Sequence, residues 1–245
     1  MESEYRQHYQ ELFEKHWWWR ARTEFIVETL KRLRPPGGWP AILDVGCGEG
    51  LFFDRLSTFG DVEGVEVEEA LQPDTTWRDR IHTQPFDDSF QPGKRYSLIL
   101  MLDVLEHLVE PDVAVRTAGR LLGEDGIFLA TVPAFQALWT NHDVLNHHLR
   151  RYTKATLRSL IASSGLQVRE LEYFFHWTFP TKMLVRLYER VFRSRPEVPQ
   201  VPPAWMNQSL YALSRIEQRT ARWLPLPFGS SLMVVARRVG RAETE

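Results

Sequence analysis

The chain is nearly devoid of cysteine. Cys47 is the one thiol among 245 residues, so no disulfide forms within the chain, and a disulfide-stapled scaffold is excluded. Long hydrophobic runs are also missing. No stretch of about 18 uncharged apolar residues occurs, which argues against a membrane-spanning helix. The opening MESEYRQHYQELFEKHWWWR is charged throughout, so no leader peptide is expected from it and the expected compartment is the cytoplasm. A strong charge of one sign is absent too. The formal net charge is −2, which gives no reason to expect a nucleic-acid partner. Internal repeats and long low-complexity segments are lacking.

What is present is an ordinary globular composition in a length suited to one large domain. Charge is unevenly placed. Residues 1–145 carry 14 Lys and Arg against 25 Asp and Glu, whereas residues 146–245 carry 16 against 7. Such asymmetry arises by chance in long chains, or marks a C-terminal part that meets an anionic substrate or surface.

Short apolar runs alternate with helical patterns. A helix is expected from about Tyr5 to Arg34, ended by PPGG. AILDV reads as a buried strand, EGLFFDRLSTFG as a helix ending at Gly60, and DVEGVEV as a second strand. A short strand is expected near Ile81. YSLILM is a buried strand, DVLEHL and PDVAVRTAGRLL are helical, and GEDG turns the chain into the strand IFLATV. Thr153 is placed to cap KATLRSLIASS, which ends at Gly165. LQVRELEYFF and SLMVVARRV complete the strands, with a helical insertion over 176–230 between them. This alternation predicts a parallel α/β sheet covered by helices on both faces.

ILDVGCGEG is the most informative run. A strand delivers Asp44, and Gly46, Gly48 and Gly50 follow at alternate positions around Cys47. Glycines there let the backbone turn sharply and approach a ligand closely. The loop opens at the carboxyl end of the first strand, where open α/β sheets bind ligands. Glu66 ends the second strand, in position to accept hydrogen bonds from ribose hydroxyls. A dinucleotide enzyme would show G-x-G-x-x-G, but this chain has D-x-G-x-G-x-G. An acid beside the loop repels a pyrophosphate and suits a cationic cofactor without phosphates.

With DVGCGEG, VEGVEVEEA, YSLILMLDVLEHL and GRLLGEDGIFLATVP in view, the chain resembles the class I S-adenosylmethionine-dependent methyltransferases over residues 40–135. The resemblance implies a Rossmann-like seven-stranded, mostly parallel sheet with an antiparallel last strand. It implies S-adenosylmethionine as methyl donor, and a single methyltransferase domain. Its parts would be an N-terminal helical lid (1–38), a cofactor-binding core (39–175), a helical cap (176–230), and the last strand with its tail (231–245). By the same resemblance, Asp44 and the loop Gly46, Cys47, Gly48 and Gly50 orient the methionine moiety. Glu66 binds the ribose, Val67 flanks the adenine and Leu102 faces the sulfonium. Many relatives hold the adenine amino group with an acid after the third strand. Here Thr83, Gln84 or Asp87 stands there.

EKHWWWRARTEF sets Trp17, Trp18 and Trp19 beside Arg20 and Arg22. Three successive tryptophans cover most of a helix's circumference, so either they pack in the core or one forms a lid. The stretch is similar to the N-terminal region of quinone-biosynthesis O-methyltransferases, which implies that Arg22 grips the cofactor carboxylate.

On the acceptor side, DVLEH puts Asp103, Glu106 and His107 on one helical face. They could serve as metal ligands, with His107 as a general base, or as structural residues. No metal is expected, because most similar enzymes use this set without one. LWTNHDVLNHHLRRYT, residues 138–153, lacks the cysteines of a structural zinc site. It reads as an acceptor-binding loop. His142, Arg151 and Tyr152 are candidate acceptor contacts, and His147 joins His107 as a candidate catalytic base. Arg150 and Arg151 either anchor the loop or meet an anion.

In the insertion, FPTKMLVRLYERVF places Phe179, Met183, Leu184, Leu187 and Val191 on one face, with Lys182, Arg186, Arg190 and Arg193 on the other. WMNQSLYALSRIEQRTARWL is a second amphipathic helix. The preferred reading packs both apolar stripes into the protein as a pocket wall; a homodimer interface and a peripheral membrane contact are the alternatives. The functional expectation is methyl transfer to a small-molecule or lipid-like acceptor through an oxygen or nitrogen nucleophile, by in-line displacement. The rival is a non-catalytic module that binds the cofactor for interaction.

Overall fold

The computed structural model describes residues 3–67, 76–192, 196, 198–220 and 226–238. The expected C-terminal end of the second insertion helix (221–224) and the tail beyond Arg238 lie outside the described residues. The chain divides into two compact units. One comprises Arg34–Pro133, Leu149–Glu172 and Leu232–Glu245, the other Met1–Leu33, Ala134–His148 and Tyr173–Ser231.

The first is the sheet unit. Its strands are β1 (Trp39–Val45), β2 (Gly60–Glu66), β3 (Ile81–Thr83), β4 (Tyr96–Leu102), β5 (Leu122–Pro133), β6 (Leu166–Phe174) and β7 (Ser231–Arg238). They lie in the order β3-β2-β1-β4-β5-β7-β6. β1 to β5 are parallel, and β7 runs antiparallel between β5 and β6. Parallel strands are covered on both faces and therefore need continuous apolar sequence. Leu98, Ile99, Leu100 and Met101 of β4 are all 0% exposed, and each such burial stabilises by roughly 1.5–3 kcal/mol. The chain winds outward from β1 to β3 and then returns to β4 on the opposite side of β1. That reversal opens a crevice at the carboxyl ends of β1 and β4.

Around the sheet lie α3 (Phe53–Leu56), α4 (Pro111–Leu121) and α6 (Lys154–Ser163). α4 starts on Pro111, whose missing N–H costs nothing in a first turn, and buries Ala114, Val115, Ala118 and Leu121. Thr153 caps α6 as expected, its hydroxyl accepting the Thr156 N–H at 3.2 Å. Three expectations change. The helix after the glycine loop shrinks to the single turn of α3, because residues 48–52 are held in turns and Gly48 and Gly50 have positive φ. DVLEHL is a turn rather than a helix. Asp103 has φ +58, and its N–H stays on the sheet, donating to Thr131 O at 2.9 Å. GEDG lies inside β5, where Leu122 pairs with Tyr96 before a break in register resumes at Ile127 opposite Leu98.

The helical unit holds α1 (Ser3–Lys15), α2 (Trp17–Leu33), α5 (Asn141–Leu145), α7 (Thr178–Phe192) and α8 (Ala204–Thr220). The single N-terminal helix expected from the sequence is broken at His16. The break is stitched from α8: Asn207 Nδ2 donates to Lys15 O at 2.8 Å and its Oδ1 accepts the Trp17 N–H at 2.8 Å. His16 Nδ1 accepts the Trp18 N–H at 3.1 Å, capping α2 with a ring nitrogen. The tryptophans form a cluster within this unit. Trp18 stacks on Phe175 at 5.7 Å, Trp17 tilts against Trp177 at 5.2 Å, and Trp19 meets His16 edge-on at 5.0 Å.

α7 and α8 reverse the expected orientation. α7 turns its polar side inward. Arg186 donates to Gln136 O at 2.9 Å, and Glu189 accepts the Asn141 N–H at 3.0 Å. α8 buries Asn207, Ser214, Arg215 and Gln218, with Gln218 donating to Ala21 O at 3.0 Å and Arg215 paired with Glu28. The apolar stripes face solvent, so they do not form the expected pocket wall. The helices dock through hydrogen bonds, and the inward positions are polar for that reason.

Candidate functional site

The crevice of the sheet unit is built by β1, β2 and the loop after β1. Asp44 is buried at the end of β1, 4% exposed. The chain then doubles back. Gly46 N–H donates to Val65 O at 2.8 Å, with φ +72 at Gly46, +54 at Gly48 and +77 at Gly50. An added Cβ at Gly46 would lie 2.6 Å from Val104 Cγ2, so a side chain there would force Val104 aside. At Gly48 a Cβ would meet nothing within 4 Å; the residue is required by its left-handed backbone, and it borders open space.

Glu66 ends β2 and closes this cradle. Its Oε2 accepts the Gly48 N–H at 2.9 Å and its Oε1 accepts the Val67 N–H at 2.8 Å. Two backbone donors therefore fix the plane of the carboxylate. Burial first, then the nearby charges of Asp44 and Glu66, push the Cys47 thiol up, so it stays neutral. Three acids, Asp44, Glu49 and Glu66, and no basic side chain on Asp44–Gly50 and Glu66 make the cradle a place for positive charge. Val67, beside Glu66, is apolar yet 46% exposed, and Leu102 at the end of β4 is half-buried. Of the three candidates after the third strand, Thr83 is the register partner of Glu66. Asp87 is engaged in its own turn. It accepts the Ser89 N–H at 2.8 Å and the Ser89 hydroxyl at 2.6 Å, and these bonds hold its carboxyl below the usual range.

The turn after β4 carries Asp103, Glu106 and His107. Because it is not a helix, the helical spacing that grouped the three no longer applies. Asp103 Oδ1 accepts the Thr131 hydroxyl at 3.0 Å. Glu106 is wholly buried, whereas His107 is exposed. Residues 149–152 pin this turn. Leu149 N–H donates to Glu106 O at 2.8 Å, Arg150 to Leu108 O at 3.0 Å, and Tyr152 hydroxyl to Leu105 O at 3.0 Å. Tyr152 and Arg151 are 4% and 7% exposed. Burial raises the Tyr152 phenol well above its ordinary value, so it remains a donor.

The remaining candidates lie in the helical unit. Arg22 is buried on α2, its guanidinium 5.8 Å from the Trp18 ring. On α5, His142 is half-buried and Asn146 Nδ2 donates to its carbonyl at 2.7 Å. His147 is exposed with φ +55. That left-handed residue turns the chain back, so that His148 N–H donates to Asp143 O at 2.9 Å. His148 Nδ1 then lies 2.8 Å from Asp143 Oδ1. Asp143 is 0% exposed, and its Oδ2 accepts the Thr140 N–H at 2.8 Å. A buried carboxylate thus orients an imidazole, an arrangement that sequence reasoning missed. The visible signal was the capping pattern Thr140-x-x-Asp143, which marks a helix start and with it a short α5.

Residues 18–171 match the family model described as "Methyltransferase domain". Among curated proteins, the chain is similar to the ubiquinone biosynthesis O-methyltransferase of Azorhizobium caulinodans, 26% identical over 62% of this chain and 71% of that one. It is also similar to the protein of the same name from Xanthomonas axonopodis pv. citri, 24% identical over 62% and 70%. Its fold is shared with a solved S-adenosylmethionine-dependent methyltransferase from Clostridium acetobutylicum, with TM-score 0.55 and 11% identity over 90% of this chain and 92% of that one. The CcbJ methyltransferase from Streptomyces caelestis gives TM-score 0.55 and 15% identity over 89% and 96%. With the glycine cradle, the braced acid at the end of β2 and the strand order all in place, the chain belongs to the methyltransferase-domain family and is a class I S-adenosylmethionine-dependent methyltransferase.

Proposed function

We propose that this enzyme methylates an oxygen or nitrogen nucleophile on a small-molecule or lipid-like acceptor by direct in-line displacement. One observation supports the reading most: the Asp44–Gly50 loop and Glu66 form an acidic cradle free of basic side chains, with the Glu66 carboxylate fixed by two backbone donors. That cradle suits a cationic, ribose-bearing, phosphate-free molecule, which is the chemistry of the methyl donor. When bound, the sulfonium supplies an electrophilic methyl group that needs no Lewis acid, so we read the reaction as metal-independent. The chain's own residues have simpler tasks. Glu66 accepts from the ribose hydroxyls, Asp44 and the loop orient the amino-acid end, and Val67 and Leu102 exclude water beside the adenine and the methyl. Arg22 is assigned to the carboxylate of the donor by the resemblance alone.

Curated relatives are named as O-methyltransferases of ubiquinone biosynthesis, which makes a hydroxyl the first nucleophile to assay. A hydroxyl acceptor must lose its proton as its oxygen bonds to the methyl carbon and the carbon–sulfur bond breaks. His107 and His147 are the bases proposed from the sequence, with His142, Arg151 and Tyr152 on the acceptor side. His148 joins the candidate bases, because Asp143 fixes its ring. The single cysteine suits a cytoplasmic enzyme, and no helix of the described residues is long and apolar enough to cross a membrane. The test is calorimetry with the donor and its demethylated product, followed by methyl release over a panel of phenols, catechols and amines, with and without a chelator. Binding of both forms and release on at least one hydroxyl acceptor, unchanged by chelation, is the expected result. Release only on amines would remove the oxygen reading, and loss of turnover in chelator, restored by magnesium, would remove the metal-independent one.

A further inference from the structure

One shielded oxygen in the glycine loop takes part in no hydrogen bond. Glu49 stands between Gly48 and Gly50, whose φ values of +54 and +77 fix the backbone on either side of it. The residue is half-buried, and its Oε1 is shielded from solvent with no hydrogen-bond partner among the described residues. A buried acceptor in that state costs stability, so native structures keep few of them, and each one kept has a cause. The loop does not satisfy this oxygen from within. Gly48 N–H is taken by Glu66 Oε2 at 2.9 Å, Gly50 N–H by Cys47 O at 3.1 Å, and Phe53 N–H by Gly50 O at 2.9 Å. Glu49 is not a helix cap, since α3 starts without a side-chain capping bond. Asp44 to Asp54 contain no Lys, Arg or His.

The loop around Glu49 is walled on one side and open on the other. An added Cβ at Gly50 would lie 3.0 Å from Trp77 Cδ1, whereas one at Gly48 would meet nothing within 4 Å. Chemistry then selects the partner. The methyl donor is positive at two places. Its sulfonium has no hydrogen to give, but its α-ammonium offers three N–H donors, as a lysine ammonium does. An acceptor that lacks a hydrogen bond is completed by the ammonium and not by the sulfonium. The resulting bond is charge-assisted on both sides, which is the strong kind. Glu66 is committed differently, since each of its oxygens already accepts a backbone N–H.

We infer that the Glu49 carboxylate receives the α-ammonium of the methyl donor and so selects for donors with an intact amino-acid end. The assignment rests on the proposal that the cradle takes S-adenosylmethionine, and it needs no knowledge of the acceptor. The experiment is calorimetry of the full chain with three ligands: S-adenosylmethionine, S-adenosylhomocysteine, and a deaminated S-adenosylhomocysteine that keeps the carboxylate and lacks the amino group. Glu49→Gln keeps the shape of the side chain and removes its charge. It is expected to weaken the two amino-bearing ligands by about tenfold or more, and the deaminated one by less than about twofold. Without ligand this variant should melt no lower than the parent, because it breaks no internal hydrogen bond, while the rise in melting temperature given by S-adenosylhomocysteine shrinks. Equal losses on all three ligands, or a ligand-free melt well below the parent's, overturn the inference in favour of a loop-shaping role. Loss confined to S-adenosylmethionine overturns it in favour of the sulfonium, and unchanged affinity for all three takes Glu49 out of the site. A parent that binds none of the three overturns the donor proposal itself, and this assignment with it.

Discussion

Both oxygens of Glu66 are held by backbone donors, Gly48 N–H on one and Val67 N–H on the other. Each carboxylate oxygen has a second lone pair, so the side chain can brace the loop and still accept from a sugar. Replacing it by Ala removes both functions. Donor affinity measured by calorimetry should fall by roughly 1.5–3 kcal/mol, the range for hydrogen bonds to a charged group. Unchanged affinity with the fold intact would take Glu66 out of the site. Arg22→Ala should weaken binding of the full donor and spare an adenosine analogue without the amino-acid tail; equal losses would make Arg22 a folding residue. The cradle was legible because its chemistry is local: alternate glycines after a strand, and an acid at the next strand's end. The Asp143–His148 pair was not. It depends on α5 stopping at Leu145 and on left-handed backbone at His147, and neither is encoded by a spacing rule.

The strands were legible as elements because both faces of a parallel sheet are covered, so apolar residues run without interruption. The turn after β4 was misread because Asp103, Glu106 and His107 have helical spacing by coincidence. The ladder bond from Asp103 N–H to Thr131 O holds the backbone out of the helix. The break between α1 and α2 was invisible for a different reason: its stabilising partner, Asn207, lies 190 residues away. Asn207→Ala should lower the unfolding free energy by about 1–3 kcal/mol, since the Lys15 carbonyl and Trp17 N–H then lose their partner. Thermal melts of this variant test it. The same break carries a pH dependence. Burial lowers the His16 pKa from 6.5 to about 4, and its Nδ1 must be unprotonated to accept the Trp18 N–H. The folded pKa is below the unfolded one, so this contribution is complete above about pH 6.5 and is lost as pH falls toward 4. His16→Asn, which keeps a capping oxygen, should flatten the stability profile across that window.

At the scale of the whole molecule, periodicity revealed that α7 and α8 carry apolar stripes, but it could not reveal which way they face. Most such helices hide the stripe, and the sequence-based preference followed that rule. The inward hydrogen bonds of Arg186, Glu189, Asn207 and Gln218 decide otherwise. One contribution to the acid limb of stability comes from the sheet unit. Glu63 in β2 accepts from Lys94 at 2.5 Å, Tyr96 at 2.9 Å and His82 at 3.2 Å. Burial pushes its pKa up, and the hydrogen bonds from Lys94, His82 and Tyr96 outweigh it, leaving the carboxyl below its usual range. A depressed carboxylate stabilises above its unfolded pKa and stops doing so as pH falls through the folded value. Glu63→Gln should therefore cost about 1–3 kcal/mol at neutral pH and nearly nothing in strong acid, as denaturant melts at both pH values would show.

Cys47 has a consequence of another kind. Its sulfur lies so close to Gly64 that a Cβ there would sit 2.4 Å away, and burial, with the charges of Asp44 and Glu66 behind it, keeps the thiol in its unreactive form. A thiol-specific dye should therefore combine only slowly with the native chain, because the half-buried sulfur is held in its thiol form. The chain is thereby furnished with a single covalent clock, which should tick more slowly when an occupant covers the cradle.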